Sequence, residues 1–410
     1  MSIVTDSQKI IDAAIQAALP DTAVERALEQ LPEYGGRLVL IAAGTAAWQM
    51  AAAAQRRLGE KISGGVVITK YRHVQGPLGK LAIFEAGHPV PDENSYRGTQ
   101  AAIDAVTGLR ESDLVLFLLS GGGSALFEKP LLPPEELADI TKQLLACGAD
   151  ITEINTLRKR FSAVKGGKFA QLCAPAHVFS IVLSDILGDP LDMIASGPAY
   201  PDSTTSEQAQ AIAKKYDLHL SDLARDLLTR ETPKDLPNAE SRITGSVRQL
   251  CAAASESAQA LGYKPVVLTA SLCCEARDAG SFLASIAQYH ADTKESLAFI
   301  AGGETVVHLT GHGKGGRNQE LALAAARGID GLRDTLVFSL GSDGTDGPTD
   351  AAGGWVDGTS LRRLAEKGYD LDAVLQDNDA YHALSAVDGL ILTGPTGTNV
   401  NDLSVLLIRR

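Results

Sequence analysis

Basic residues are in the minority here: 37 Lys and Arg stand against 50 Asp and Glu, a net charge of −13. That excludes a general nucleic-acid binder, which neutralises phosphates with a basic stripe, and leaves small molecules as the expected partners. Long apolar runs are missing as well. No stretch reaches the roughly 18 uninterrupted apolar residues of a membrane helix; even 38–54, "LVLIAAGTAAWQMAAAA", is broken by Gly, Thr, Trp and Gln. The opening "MSIVTDSQKIIDAAI" has no basic segment ahead of an apolar core and does not read as a secretory signal. Cysteine is sparse: Cys147, Cys173, Cys251, Cys273 and Cys274 form an odd set without C-x-x-C spacing. Reduced thiols in a cytoplasmic protein are expected, not disulfides or a metal site. The eight histidines are scattered, and each alone is read as structural.

What is present is a long, glycine-rich chain. With 410 residues it exceeds a single core, so two domains are expected. A hydrophobic content of 45% and 40 glycines describe a loop-rich, enzyme-like globular protein. The runs "RLVLIAAG", "GGVVITK", "LAIFEAG", "DLVLFLLSGGG" and "VFSIVLSDI" read as buried strands, and segments such as 94–109 and 134–147 have helical spacing. Strands alternating with helices predict right-handed crossovers and an α/β fold with a doubly wound, mostly parallel, Rossmann-like sheet. Ligands gather beyond the carboxyl ends of such strands. Residues 200–245 turn polar and proline-punctuated, a helical excursion and linker. Beyond them, "LAFIAGGETVVHL" predicts a hairpin around Gly302-Gly303, hence a mixed sheet.

Polar and glycine-rich loops follow these strands. In 38–54, a strand turns at Gly44 into a helix, a common place to hold an anion. In "LFLLSGGGSALFEKP", Gly121, Gly122 and Gly123 stand between Ser120 and Ser124, suited to close backbone approach and donation to phosphate oxygens. Gly311, Gly313 and Gly316 satisfy G-x-G-x-x-G, but Asp343 follows too far along the chain for a dinucleotide fingerprint, and Arg317-Asn318 follow at once. An arginine beside a glycine loop suits a phosphoryl group or a carboxylate at least as well. "SLGSDGTDGPTDAAGG" carries Asp343, Asp346 and Asp350, suited to Mg²⁺, to a substrate hydroxyl or to base catalysis. "EINTLRKRFSAVKGGKFA" gathers Arg158, Lys159, Arg160, Lys165 and Lys168, which points to an anionic ligand. "LSDILGDPLDMIASGP" sets Asp185 and Asp189 after a strand. "LTGPTGTNVNDLSVLL" offers Gly394, Thr396, Thr398 and Asn399, suited to turn bonding or to a hydroxylated ligand.

Eight of these stretches, from "EAGHPVPDENS" through "GGETVV" and "GKGGRNQELAL" to "TGPTGTNVNDL", stand in the order of the glycerate 2-kinase family, which the chain resembles over nearly its whole length. The resemblance implies a Rossmann-like N-terminal domain over 1–240, a C-terminal MOFRL domain over 241–410 and an active site in the cleft between them. It implies ATP-dependent phosphorylation of D-glycerate on its 2-hydroxyl, with Mg²⁺ and with no nucleic-acid or membrane partner; a homodimer stays possible. Some members carry the label hydroxypyruvate reductase, so an NAD(P)H reductase is the alternative, with an impaired ligand-binding homologue beside it.

Carried over, Gly44, Ser120, Gly121, Gly122, Gly123, Ser124, Gly394, Thr396, Thr398 and Asn399 face the nucleotide. Arg317, Asp185, Asp189, Asp343 and Thr45 are catalytic, with Asp185 and Asp189 also metal ligands. Arg158, Lys165, Glu304, Asn318 and Asp346 bind substrate. One position departs from the pattern: the family's turn usually reads Gly-Lys-Ala, and Thr45 stands where that lysine faces the phosphates. A hydroxyl does not replace its charge. Either Lys165 or Arg158 fills the gap, or turnover is slow, or the residue was exchanged to trap a complex.

Overall fold

The computed structural model describes residues 2–184, 186, 188 and 190–410. It divides into two compact units, one built chiefly from Ala23–Ser184 and the chain up to Thr244, the other from the segment before Ala23 and Gly245–Arg410. The first unit carries a six-stranded sheet of β1 (Leu38–Ala43), β2 (Ile62–Lys70), β3 (Leu81–Ala86), β4 (Leu114–Leu119), β5 (His177–Leu183) and β6 (Ala239–Gly245). Their order is β3-β2-β1-β4-β5-β6, and β1 to β5 pair in parallel. β1 and β4 are buried at every position because helices cover both faces, which is why their sequences run apolar without alternation. Helix Ala47–Leu58 lies on the sheet through Ala47, Met50 and Ala51–Ala54, all buried, so small side chains let it approach closely. The expected doubly wound sheet is thus present, and its strand order reverses between β1 and β4. At such a switch point the loops after neighbouring strands leave in opposite directions and open a crevice.

The second unit holds β7 (Lys264–Leu272), β8 (Leu297–Gly303), β9 (Thr335–Gly341), β10 (Gly353–Asp357), β11 (Leu390–Ile391) and β12 (Asp402–Ile408), in the order β11-β10-β9-β12-β8-β7. β12 runs antiparallel to both β8 and β9, and β7 runs parallel to β8, so the sheet is mixed as expected. The reason differs from the predicted one. Among the described residues Gly302-Gly303 make no hairpin: β8 ends at Gly303, and "ETVVHL" continues as irregular chain with one bridge, Val306 to Glu275. Helix Ile3–Ala18 packs in this unit, with Ile10, Ile11 and Ala14 in the same core cluster as Val247, Ile300 and Phe338. Among the described residues no helix is long and apolar enough to cross a membrane.

Candidate functional site

In the first unit the two switch-point loops are tied together. Ser120 N–H donates to the Ala43 carbonyl (3.1 Å), Thr45 N–H to the Gly121 carbonyl (2.9 Å) and Ala46 N–H to Ser120 Oγ (3.0 Å). Gly44 has φ +131°, and a Cβ there would lie 2.1 Å from Ser120 Oγ, so only glycine fits. Thr45 is half-buried; its hydroxyl donates to the Gly121 carbonyl (3.2 Å), and its own carbonyl accepts from Thr69 Oγ1 (3.2 Å) and lies 3.0 Å from His73 Nδ1. Thr45 therefore clasps the turn. Gly122, at φ +80°, faces His88 Nε2 and the Thr45 methyl, each 3.0 Å from where its Cβ would be. Burial, with Lys70 and His73 nearby, pushes His88 below the usual histidine range. Gly123 abuts Ala195, whose neighbours Ser196 and Gly197 share its left-handed backbone (φ +50°, +61° and +63°). That strained turn is not legible in "IASGP"; from it, Ser196 bridges Ser124 Oγ (3.2 Å) and Asn155 Oδ1 (3.0 Å).

The basic cluster is not the anion site its composition suggests. Lys159 and Arg160 are fully buried on Asp202, at 2.9 Å each, and Arg160 also reaches Thr204. Asp202 is held below the carboxylate range: desolvation opposes this, but bonds from Thr232, Thr204 and Lys159 prevail. Lys168 donates to the carbonyls of Lys159, Arg160 and Ser162, capping helix Ile151–Phe161, and burial lowers it to about 8. Lys165 corrects its assignment to substrate: fully buried, it donates to the Ser124 and Phe127 carbonyls (2.7 and 3.0 Å) and pairs with Glu128 (3.3 Å). It braces the glycine loop from behind and cannot stand in for a cation at Thr45. Arg158 is half-buried and makes no ion pair among the described residues. Asp185 and Asp189 lie outside the described residues.

The second unit contains a cavity of about 680 Å³. Arg317 lines it at the start of helix Arg317–Ala325, its guanidinium fixed by Asp402 (Nε to Oδ2, 2.6 Å; Nη2 to Oδ1, 3.0 Å) and Glu304 (3.1 Å). Burial works against its charge, but Asp402, Glu304 and Asp346 outweigh it and raise Arg317 above its ordinary value. About a third of the side chain stays exposed, so the cation is oriented yet reachable.

Asn318 corrects its substrate assignment, whereas Asp346 lines the cavity and is tied to the helix start as well. Asp346 accepts from Asn318 N (3.2 Å) and Gln319 N (2.9 Å), capping the first turn of that helix from a distant loop. Asn318 is buried, donating to Asp346 and accepting from Ser339 Oγ (2.6 Å). Glu304 remains half-exposed beside Arg317 and also accepts from Asn401 Nδ2 (3.3 Å). Asp343 is half-buried, with Oδ1 accepting from Thr345 N (2.9 Å). The loop after β11 folds onto it: Gly394 lies against Gly344, and Thr396 N–H donates to the Asp343 carbonyl (3.2 Å). The hydroxyls of Thr396 and Thr398 go to the Ser342 and Ala18 carbonyls (2.5 and 2.7 Å). Thr398 is buried, which removes it from the nucleotide set, whereas Asn399 is exposed.

The G-x-G-x-x-G pattern has a packing cause. Added Cβ atoms would meet Asp377 backbone at 2.3 Å from Gly311, the Asp379 side chain at 2.4 Å from Gly313 and the Asp346 carboxyl at 2.2 Å from Gly316. Among the described residues no strand leads directly into the loop, and Asp346 already occupies the helix N-terminus where a diphosphate would sit. His308 and His312, four apart, lie in this same irregular chain and not on a helix face. Sequence reasoning misses Thr305, Val306 and Leu309 in the cavity wall, because "ETVVHL" reads as strand, and Asn378, which enters it from the turn after helix Leu371–Gln376.

Fold and site define a two-unit α/β protein with a glycine-rich switch-point turn in one unit and a cavity beside a fixed arginine in the other. Residues 6–229 match the domain of unknown function DUF4147, and residues 297–402 match the MOFRL family. The chain is 50% identical to a D-glycerate 2-kinase of Thermotoga maritima, covering 98% of this chain and 97% of that one. A crystal structure of glycerate kinase from the same organism superposes with a TM-score of 0.95 at 49% identity, covering 99% of both chains. A putative hydroxypyruvate reductase of Agrobacterium vitis is 41% identical over 91% of this chain and all of its own. The chain belongs to the glycerate 2-kinase family.

Proposed function

We propose that this protein transfers the terminal phosphoryl group of ATP to the 2-hydroxyl of D-glycerate, giving 2-phosphoglycerate and ADP. The observation that carries this reading is the 50% identity, end to end, with the Thermotoga D-glycerate 2-kinase. Phosphoryl transfer asks for alignment of hydroxyl and phosphoryl, exclusion of water and charge at the transferring group. Arg317 supplies the charge, and its two carboxylate partners hold it in place without further ordering cost. In this reading it meets the transferring phosphoryl or the glycerate carboxylate. Asp343, with one oxygen anchored by Thr345, is the proposed acceptor of the hydroxyl proton. Within the first unit, the partly exposed Gly121 and Gly122 are proposed as a place for a ligand anion.

Mg²⁺ is proposed to arrive with the nucleotide. Among the described residues no three His, Cys, Asp or Glu side chains gather as a metal site. Asp185 and Asp189, the expected ligands, lie outside the described residues and stay the proposed partners of an ion that phosphate oxygens also carry, as Mg²⁺ commonly is, and no step here runs through it. The reductase alternative is disfavoured by the filled glycine fingerprint. Incubation with D-glycerate and ATP should release ADP, and incubation with hydroxypyruvate and NADH should leave the cofactor unoxidised. The reverse pattern would overturn the reading.

A further inference from the structure

We propose that the cavity of the second unit is where the nucleotide's base and ribose bind, against Val306, Leu309 and Pro348, with the phosphate end toward Arg317. This rests on the kinase reading for the identity of the ligand. Size is the first argument. The cavity holds about 680 Å³. Pockets for drug-sized ligands run from a few hundred cubic ångströms upward, and a three-carbon acid needs far less space than this one offers.

The second argument is the wall. Leu309 is 79% exposed and Val306 54%, and both border this one cavity beside Val307 and Pro348. Lone exposed aliphatic residues need no explanation, but a group lining one concavity offers a flat ring a surface to cover. The third is Thr305: it also lines the cavity, is 4% exposed, and its buried Oγ1 has no hydrogen-bond partner among the described residues. A buried hydroxyl without a partner is uncommon in a native fold, and this one sits in a residue of the cavity wall. The fourth is charge. Arg317, held by Asp402 and Glu304, presents one fixed guanidinium at an end of this cavity. It suits a ligand that gains affinity from apolar contact and brings its phosphates to one fixed guanidinium.

The test uses the full chain and ADP as probe. Leu309→Glu, at an exposed position the fold does not need, should weaken ADP binding by calorimetry about tenfold or more and raise the KM for ATP similarly, with the KM for D-glycerate unchanged. Leu309→Met should restore both, and Tyr289→Glu, at an exposed residue outside the cavity, should change neither. An unaltered ADP affinity in Leu309→Glu, a rise in the KM for D-glycerate alone, or no ADP binding by the native chain would each overturn the proposal. Leu309-dependent ADP binding without phosphorylation of D-glycerate would instead refute the functional reading and leave the site standing.

Discussion

In the proposed reaction Arg317 carries the charge at the transferring group, so its removal should be felt in turnover. Arg317→Ala is expected to lower kcat about a hundredfold or more, the scale of one electrostatic contact made in the transition state. Steady-state kinetics with D-glycerate and ATP check this, and an unchanged kcat would remove Arg317 from the mechanism. Thr45 is the converse case. Its hydroxyl holds the Gly121 carbonyl, and the buried Lys165 spends its ammonium on Ser124, Phe127 and Glu128, so it does not replace a phosphate-facing lysine. Thr45→Lys should therefore raise kcat, by up to about a hundredfold; an unchanged rate would show that the position is dispensable.

Asp346 makes a prediction about pH. Burial is the main cause that pushes it up to about 6, against the pull of the Gln319 and Asn318 N–H groups, from an ordinary value of 3.8. Between those two values the folded chain keeps a proton that the unfolded chain has released. Stability should therefore fall as pH rises through this window, by on the order of 3 kcal/mol in all. Urea midpoints measured from pH 4 to pH 7 should show the decline in the native chain and a flatter profile in Asp346→Asn.

The switch-point turn shows how an element depends on its glycine. Gly44→Ala puts a methyl group into Ser120 at a φ that alanine rarely adopts. The variant should lose about 2 kcal/mol of stability in the first unit, the scale of a backbone strain combined with a steric clash. Thermal unfolding measures it, and a native melting temperature would contradict the packing described. Local elements of this kind are readable in sequence. β1, β2, β4 and β5 announce themselves as apolar runs, and helix Glu93–Val106 by its spacing after Asp92, which caps it. The expected hairpin at Gly302-Gly303 fails because alternating aliphatic residues after a Gly-Gly pair imitate a second strand. In the fold, "VVHL" is chain left open beside a cavity.

Across the molecule, what sequence does not reveal is which polar group takes which partner. Arg317 meets Asp402 across 85 positions, and Lys159 meets Asp202 across 43. Motif reading finds Arg317, Asp346 and Lys165 as polar groups near glycines but does not tell an open cation from a helix cap or a buried brace. That distinction lies in burial, which only the tertiary fold sets. The same long-range packing explains why G-x-G-x-x-G occurs without a dinucleotide site.

The central claim is that this chain phosphorylates D-glycerate on its 2-hydroxyl. The ³¹P spectrum of a mixture of protein, ATP, Mg²⁺ and D-glycerate tests it most directly. The account predicts a new phosphomonoester signal coupled to a single methine proton, matching 2-phosphoglycerate, as the ATP signals give way to those of ADP. A signal coupled to two methylene protons, which marks the 3-phosphate, or an unchanged ATP spectrum would contradict it.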